Sequence, residues 1–284
     1  DDAVALVSSA EGEFPLEMGS GTYLSYSAKN AEYINGGFRP AEDESYIYSA
    51  YGDALDRSSS KTVVLTNDLT RSGAIYVDES STLDLNGKTI YQTNSSTSDA
   101  AFKLNGDDVN FTLKNGSVES NADGVWLGID KKNNTLIITG VDMTYNSFGI
   151  VTNGTTSGHT ITIEDSSITT TKTDNGTGIY LPSWDSTLTV TESDITGPTG
   201  IEIRAGTLNV NSGSNITGTG TYSVSSNGSG TTTVGAGIAV MQHTTGENIQ
   251  VNITGGTVTG ERSIAEANPQ ENPEEETNKI EINI

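Results

Sequence analysis

The sequence predicts an all-β fold: a right-handed, single-stranded parallel β-helix with three short strands per coil and about eight coils, preceded by an N-terminal capping region. Three observations predict it. An apolar–polar–apolar phrase recurs eight times: Leu83-Asp84-Leu85, Phe111-Thr112-Leu113, Leu136-Ile137-Ile138, Ile161-Thr162-Ile163, Leu188-Thr189-Val190, Leu208-Asn209-Val210, Ile249-Gln250-Val251 and Ile280-Glu281-Ile282. In seven of the eight a lone apolar residue follows: Ile90, Val118, Met143, Ile168 and Ile195 come seven positions after the first apolar residue, Ile216 eight and Val258 nine. A third strand is marked by Gly before Val or Ile at Gly124-Val125, Gly149-Ile150, Gly178-Ile179, Gly200-Ile201 and Gly237-Ile238, with Ala101-Phe102 and Ser263-Ile264 as variants.

Residues 1–57 contain no copy of the phrase and hold six of the eleven tyrosines. A solenoid must cover its terminal strand edge, so this Tyr-rich region reads as a cap or leader. From 58 to 284 the repeat takes over. Its first strands begin 28, 25, 25, 27, 20, 41 and 31 residues apart. The steady interval of seven implies a tight turn, such as Glu164-Asp165-Ser166, between strands one and two, because turn geometry fixes chain length. The excess in the interval of 41 falls at 218–235, a Ser/Thr/Gly stretch that reads as a loop inserted between the second and third strands. Residues 261–276 read as an exposed acidic loop before a last strand at Ile280. Handedness follows from the strong preference of parallel crossovers for the right-handed form.

Composition narrows the function classes. There is no cysteine in 284 residues, which excludes disulfides, thiol nucleophiles and thiolate metal sites. A formal charge of -23 opposes nucleic acid and anionic membranes as partners. No apolar run of about eighteen residues is present, so membrane insertion is not expected. The opening Asp1-Asp2-Ala3-Val4 is not a leader, and any secretion signal is expected to have been removed ahead of it. Neither a cofactor nor a metal is predicted, since Asp107-Asp108 and the other acidic groups lack ligand spacing.

The segment Thr82-Leu83-Asp84-Leu85-Asn86-Gly87-Lys88-Thr89-Ile90, and the recurring Gly-Ile followed by Thr-Leu-x-Val, resemble the repetitive β-helical domains of bacterial adhesin-like surface proteins. The resemblance implies an extracellular or cell-surface, non-catalytic module with a glycan or a host surface protein as partner. Enzymes of this architecture are mainly polysaccharide lyases and glycoside hydrolases, and that is the alternative. Their pectin-hydrolase pattern needs carboxylates converging from adjacent coils with Gly-His-Gly and Arg-x-Lys. Here Gly158-His159-Thr160 and Ile203-Arg204-Ala205 depart from it, and no Asp column recurs. His159 and His243 read as solvated turn residues.

Strand parity supplies the candidate binding face. With Val125, Ile179, Ile201 and Ile238 inward, Trp126, Tyr180, Glu202 and Ala239 turn outward, with Val151 on the intervening coil. Trp184, Asp185 and Arg204 follow just beyond the strand. Exposed aromatic rings stack on sugar rings, and Glu, Asp and Arg bind hydroxyls, so Trp126, Tyr180, Trp184, Asp185, Glu202 and Arg204 are the candidate ligand-binding residues, with none catalytic. The competing expectation is that Trp126 and Tyr180 only cover the sheet beneath long loops such as 128–134. A second outward column, Thr135, Thr160, Thr187 and Thr207, has the look of an ice-binding ladder, but Asp84, Ile137, Gln250 and Glu281 interrupt it and the β-propensity of Thr accounts for it.

Overall fold

The computed structural model describes residues 25–27, 36–44, 46–174, 176–228, 230–242, 247–273 and 279–284. The chain is nearly all β, and its strands stack in long parallel ladders, consistent with a parallel β-helix. The first strands pair in sequence from Thr62–Leu65 through Ser81–Asp84 and on to Ile280–Asn283, always parallel. The second strands form a continuous column Leu69, Ile90, Val118, Met143, Ile168, Ile195, Ile216 and Val258. A separate eight-stranded parallel sheet collects the third strands, from Ile75–Val77 to Arg262–Ala267. Inward side chains of the three sets, such as Leu136, Ile168 and Ile179, are fully buried in one core.

Two details of register differ from the sequence pattern. Leu83 pairs with Leu113 rather than Phe111, and Leu208 pairs with Val251 rather than Ile249. Each displacement is two residues, so every side chain keeps its face. Measured from Val251, the last interval is seven rather than nine. The coil of Thr62–Leu65 also precedes the first recurrence of the phrase.

The interval of seven has a backbone cause. Four residues after the first apolar residue, Gly87, Asn115, Gly140, Asp165 and Glu192 have φ of 72°, 59°, 63°, 47° and 48°. Left-handed residues close the corner, two of them (Asn86 and Gly87) in the coil of Leu83 and one in each of the next four, and Gly, Asn and Asp tolerate this conformation best. The third-strand glycines have a different cause. A Cβ on Gly124, Gly149, Gly178 or Gly200 would lie 2.4, 2.5, 2.3 or 2.5 Å from the carbonyl oxygen of Gly149, Gly178, Gly200 or Gly237 in the next coil. Close stacking of coils, rather than an unusual φ, excludes a side chain there.

At the N-terminal side, Phe38–Pro40 pairs antiparallel with Thr62–Leu65, occupying the first edge of the ladder. The helix Tyr51–Arg57 buries Tyr51, Ala54 and Leu55. Tyr51 meets Phe38 edge-on at 5.8 Å and donates to Ser81 Oγ at 2.8 Å. Glu42 accepts hydrogen bonds from Ser58, Ser59 and Ser60 and ties the turn before the helix to the turn after it. Tyr23 and Tyr33 lie outside the described residues, and Tyr26 and Tyr46 sit in short strands.

Candidate functional site

The outward column of the third sheet runs Tyr76, Lys103, Trp126, Val151, Tyr180, Glu202, Ala239 and Ala265. It has two unlike halves. In the first, Tyr76 is 55% exposed and Trp126 half-buried. The Lys103 ammonium lies 5.9 Å from the Tyr76 ring centroid and 5.2 Å from that of Trp126. It also pairs with Asp99 at 3.1 Å and donates to the Ser98 carbonyl at 3.0 Å. Cation–π attraction to both rings, with the ammonium itself pinned, holds the aromatic pair in place. Ile129, 51% exposed, follows in the loop after Trp126.

The second half is covered. The insertion folds into a hairpin in which Ser223–Val224 pairs antiparallel with Thr233–Val234. Tyr222 and Val224 pack on Ala239, Met241 and Ala265, where small outward residues leave a flat bed. Arg262 lies 5.4 Å from the Tyr222 ring, and Glu261 accepts the Tyr222 amide at 2.7 Å. From the far side Gln270 donates to the Asn227 carbonyl at 2.7 Å.

Tyr180, Glu202 and Arg204 are buried beneath this hairpin. Glu202 accepts from the Thr232 amide at 2.9 and 3.0 Å, the Thr232 hydroxyl at 3.1 Å and the Thr233 amide at 3.1 Å. Burial pushes its carboxyl up to about 7, against the opposing pull of the Thr232 and Thr233 donors and Arg204. Arg204 Nη1 donates to the Gly230 carbonyl at 2.7 Å and to the Tyr180 hydroxyl at 3.1 Å, and that hydroxyl donates to Gly230 at 3.1 Å. Burial raises the Tyr180 phenol as well.

The six candidate residues therefore separate into three places. Trp126 stands on the open half with Tyr76 and Lys103. Tyr180, Glu202 and Arg204 point outward as parity requires, but the inserted hairpin covers them, not the loop 128–134. Trp184 and Asp185 lie on the corner after the third strand, where Lys132, Ser157 and Trp184 bridge in parallel. Trp184 is 37% exposed and its indole N–H donates to the Gly154 carbonyl at 2.6 Å. Asp185 is exposed at a turn with φ of 46°.

Tyr76 and Lys103 were not among the candidates, although Ile75-Tyr76-Val77 and Phe102-Lys103-Leu104 carry the same alternation. Extending the column two coils toward the N-terminus would have found them. His159 is buried rather than solvated. A side chain in each coil accepts a backbone N–H of the coil before it: Asn134 Oδ1 from Val109, His159 Nδ1 from Asn134, Ser186 Oγ from His159. Burial pushes the imidazole down to about 4, so it serves as a neutral acceptor in that ladder. His243 lies outside the described residues. Asp107 and Asp108 accept from the Lys132 amide and the Asn133 side chain. Among the described residues no three His, Asp or Glu converge as metal ligands. No described helix is long and apolar enough to cross a membrane. Compared with protein-family models, curated proteins and solved structures, the chain matches none.

Proposed function

We propose that this chain is a non-catalytic module of a secreted or cell-surface adhesin-like protein, a right-handed β-helix of about eight three-stranded coils that serves as a rigid rod with one contact face for glycans. The observation that carries the reading is the division of the third sheet. Its ionisable cluster at Tyr180, Glu202 and Arg204 is sealed under a hairpin, while on the open half Tyr76 is exposed and Trp126 half-buried, both braced by Lys103. Rings already held in place lose little freedom on binding, which favours a ligand with flat apolar faces such as a sugar. Trp184 and Asp185 form a separate, weaker contact point at the neighbouring corner.

The test is a glycan array probed with the wild type and with a Tyr76→Ala/Trp126→Ala variant. Retention of a glycan by the wild type and its loss from the variant supports the reading; no retained glycan, or equal retention, removes the site.

A second reading, a polysaccharide lyase or glycoside hydrolase, draws on Glu202, because a carboxyl near neutrality suits general acid–base work. Both Glu202 oxygens are held by Thr232 or Thr233, and Arg204 and Tyr180 are the other ionisable groups of the cluster. Incubation with acidic polysaccharides decides it: unsaturated or reducing ends that disappear on Glu202→Gln would establish an enzyme.

A further inference from the structure

Among the described residues Arg204 is the largest fully buried side chain, and two of its three guanidinium nitrogens have no partner. Nη1 is doubly engaged with Gly230 and Tyr180, whereas Nε and Nη2 find no hydrogen-bond acceptor among the described residues. A guanidinium cannot shed its proton to relieve this, so it stays charged where water does not reach it. Glu202 is the nearby opposite charge, but buried donors left without acceptors are strongly unfavourable. Glu202, two residues away, makes no hydrogen bond to Arg204, because its two oxygens face the Thr232 and Thr233 donors of the hairpin.

The Nε–H and Nη2–H bonds lie side by side on one edge of the planar group. That edge matches the two oxygens of a carboxylate and grips them in parallel. We propose that the free edge of Arg204 is the receptor for one small carboxylate, held beneath the hairpin of residues 219–235. A carboxylate supplies both missing acceptors in parallel along that edge. A planar monoanion also suits this place better than phosphate or sulfate, given Glu202 nearby and a chain charge of -23.

The hairpin provides the entry. Its strands are two residues each, and its apolar anchors are Tyr222 and Val224. Such an element opens locally at far less than the cost of global unfolding. The Tyr180 hydroxyl and the Gly230 carbonyl, both on Nη1, keep the plane of the guanidinium fixed while the opposite edge stays free. This site is independent of the glycan surface, from which it is separated by Val151 in the outward column.

The experiment follows the Arg204 side-chain Nε–H resonance of the intact chain during titration with sodium acetate. Sodium chloride at matched ionic strength and acetamide, the neutral isostere, serve as controls. A saturable displacement with acetate alone is expected, with affinity falling about tenfold in Arg204→Lys, which keeps the charge but loses the bidentate edge. A resonance indifferent to acetate, or one that responds equally to chloride or acetamide, overturns the proposal. Equal acetate affinity in Arg204→Lys overturns it as well. Should that variant fail to fold, the wild-type titration alone decides.

Discussion

Raising the pH from 5 to 7.5 should loosen the hairpin while the rod beneath it stays folded. With the hairpin closed, Glu202 titrates at about 7; with it open, the carboxyl meets water and returns toward its ordinary 4.5. The closed state therefore holds a proton that the open state has released at every pH between those values. A group raised in this way adds stability that is complete below 4.5 and lost as the pH rises through 7. From pH 5 to 7.5 the opening equilibrium should move by about 60-fold, or roughly 2.4 kcal/mol. Facing Glu202 are Arg204 and Tyr180 from its own sheet and the hydroxyl and amides of Thr232 and Thr233 from the hairpin, which carries no charged side chain between 219 and 235. Global unfolding would mix this effect with Asp123, which burial also pushes up to about 7, and with His159, whose lowered value acts in the opposite sense. Amide hydrogen exchange at Thr232 and Thr233, corrected for the intrinsic pH dependence of exchange, reports on the hairpin alone. Protection should fall steeply from pH 5 to 7 and then level off. In Glu202→Gln, which stays neutral throughout, it should be flat. Protection that is constant or rises in the wild type, or a slope retained in Glu202→Gln, would refute the argument.

Substitutions at three further positions test the packing. Gly178→Ala would set a methyl 2.3 Å from the Gly200 carbonyl oxygen and 2.4 Å from Ile195 Cγ2, so a loss of about 1–3 kcal/mol or more is expected in denaturant unfolding. Gly87→Ala meets no atom within 4 Å and carries only the strain of its φ of 72°, so about 1 kcal/mol is expected by the same measurement. At His159, Leu would leave the buried Asn134 amide without an acceptor, costing about 1–3 kcal/mol, whereas Asn should keep the ladder and much of the stability. Equal losses in His159→Leu and His159→Asn would show that the imidazole acts by volume instead.

The inward columns were legible because a period of two repeated over many coils leaves few alternatives. The slips of two at Leu83 and Ile249 were not, since displacement by an even number changes the partner and not the face. Thr62-Val63-Val64-Leu65 escaped notice for a related reason. Val64 is buried because Arg39 pairs with it from the antiparallel strand of the N-terminal region, so the polar position that marks the phrase is apolar here. The Gly-Ile pairs were visible as a marker, but their cause lies in the carbonyl of the next coil, a contact between residues tens of positions apart. Parity likewise placed Glu202 outward without revealing whether the outside was water. That depended on where the insertion lands, which no local pattern encodes.

The outward column itself held a clue to the landing place. A solvent-facing sheet has no need of Ala239 and Ala265 in succession; larger β-formers serve better there. Two small residues next to each other on adjacent coils, one following the insertion directly, are what a second layer requires if it is to lie close against the sheet. Tyr222 and Val224 occupy that bed, and the charged pair at 202 and 204 comes just before it, under the hairpin tip at Gly230 and Thr232. Earlier in the column, where no insertion precedes the strand, the same positions carry Tyr76, which is exposed, and Lys103 and Trp126, which are half-buried. The outward residues are thus small where the apolar anchors rest, and large but hydrogen-bonded to the hairpin where its tip closes over them. An insertion in another coil of such a rod should be sought above the rungs where the outward column turns small.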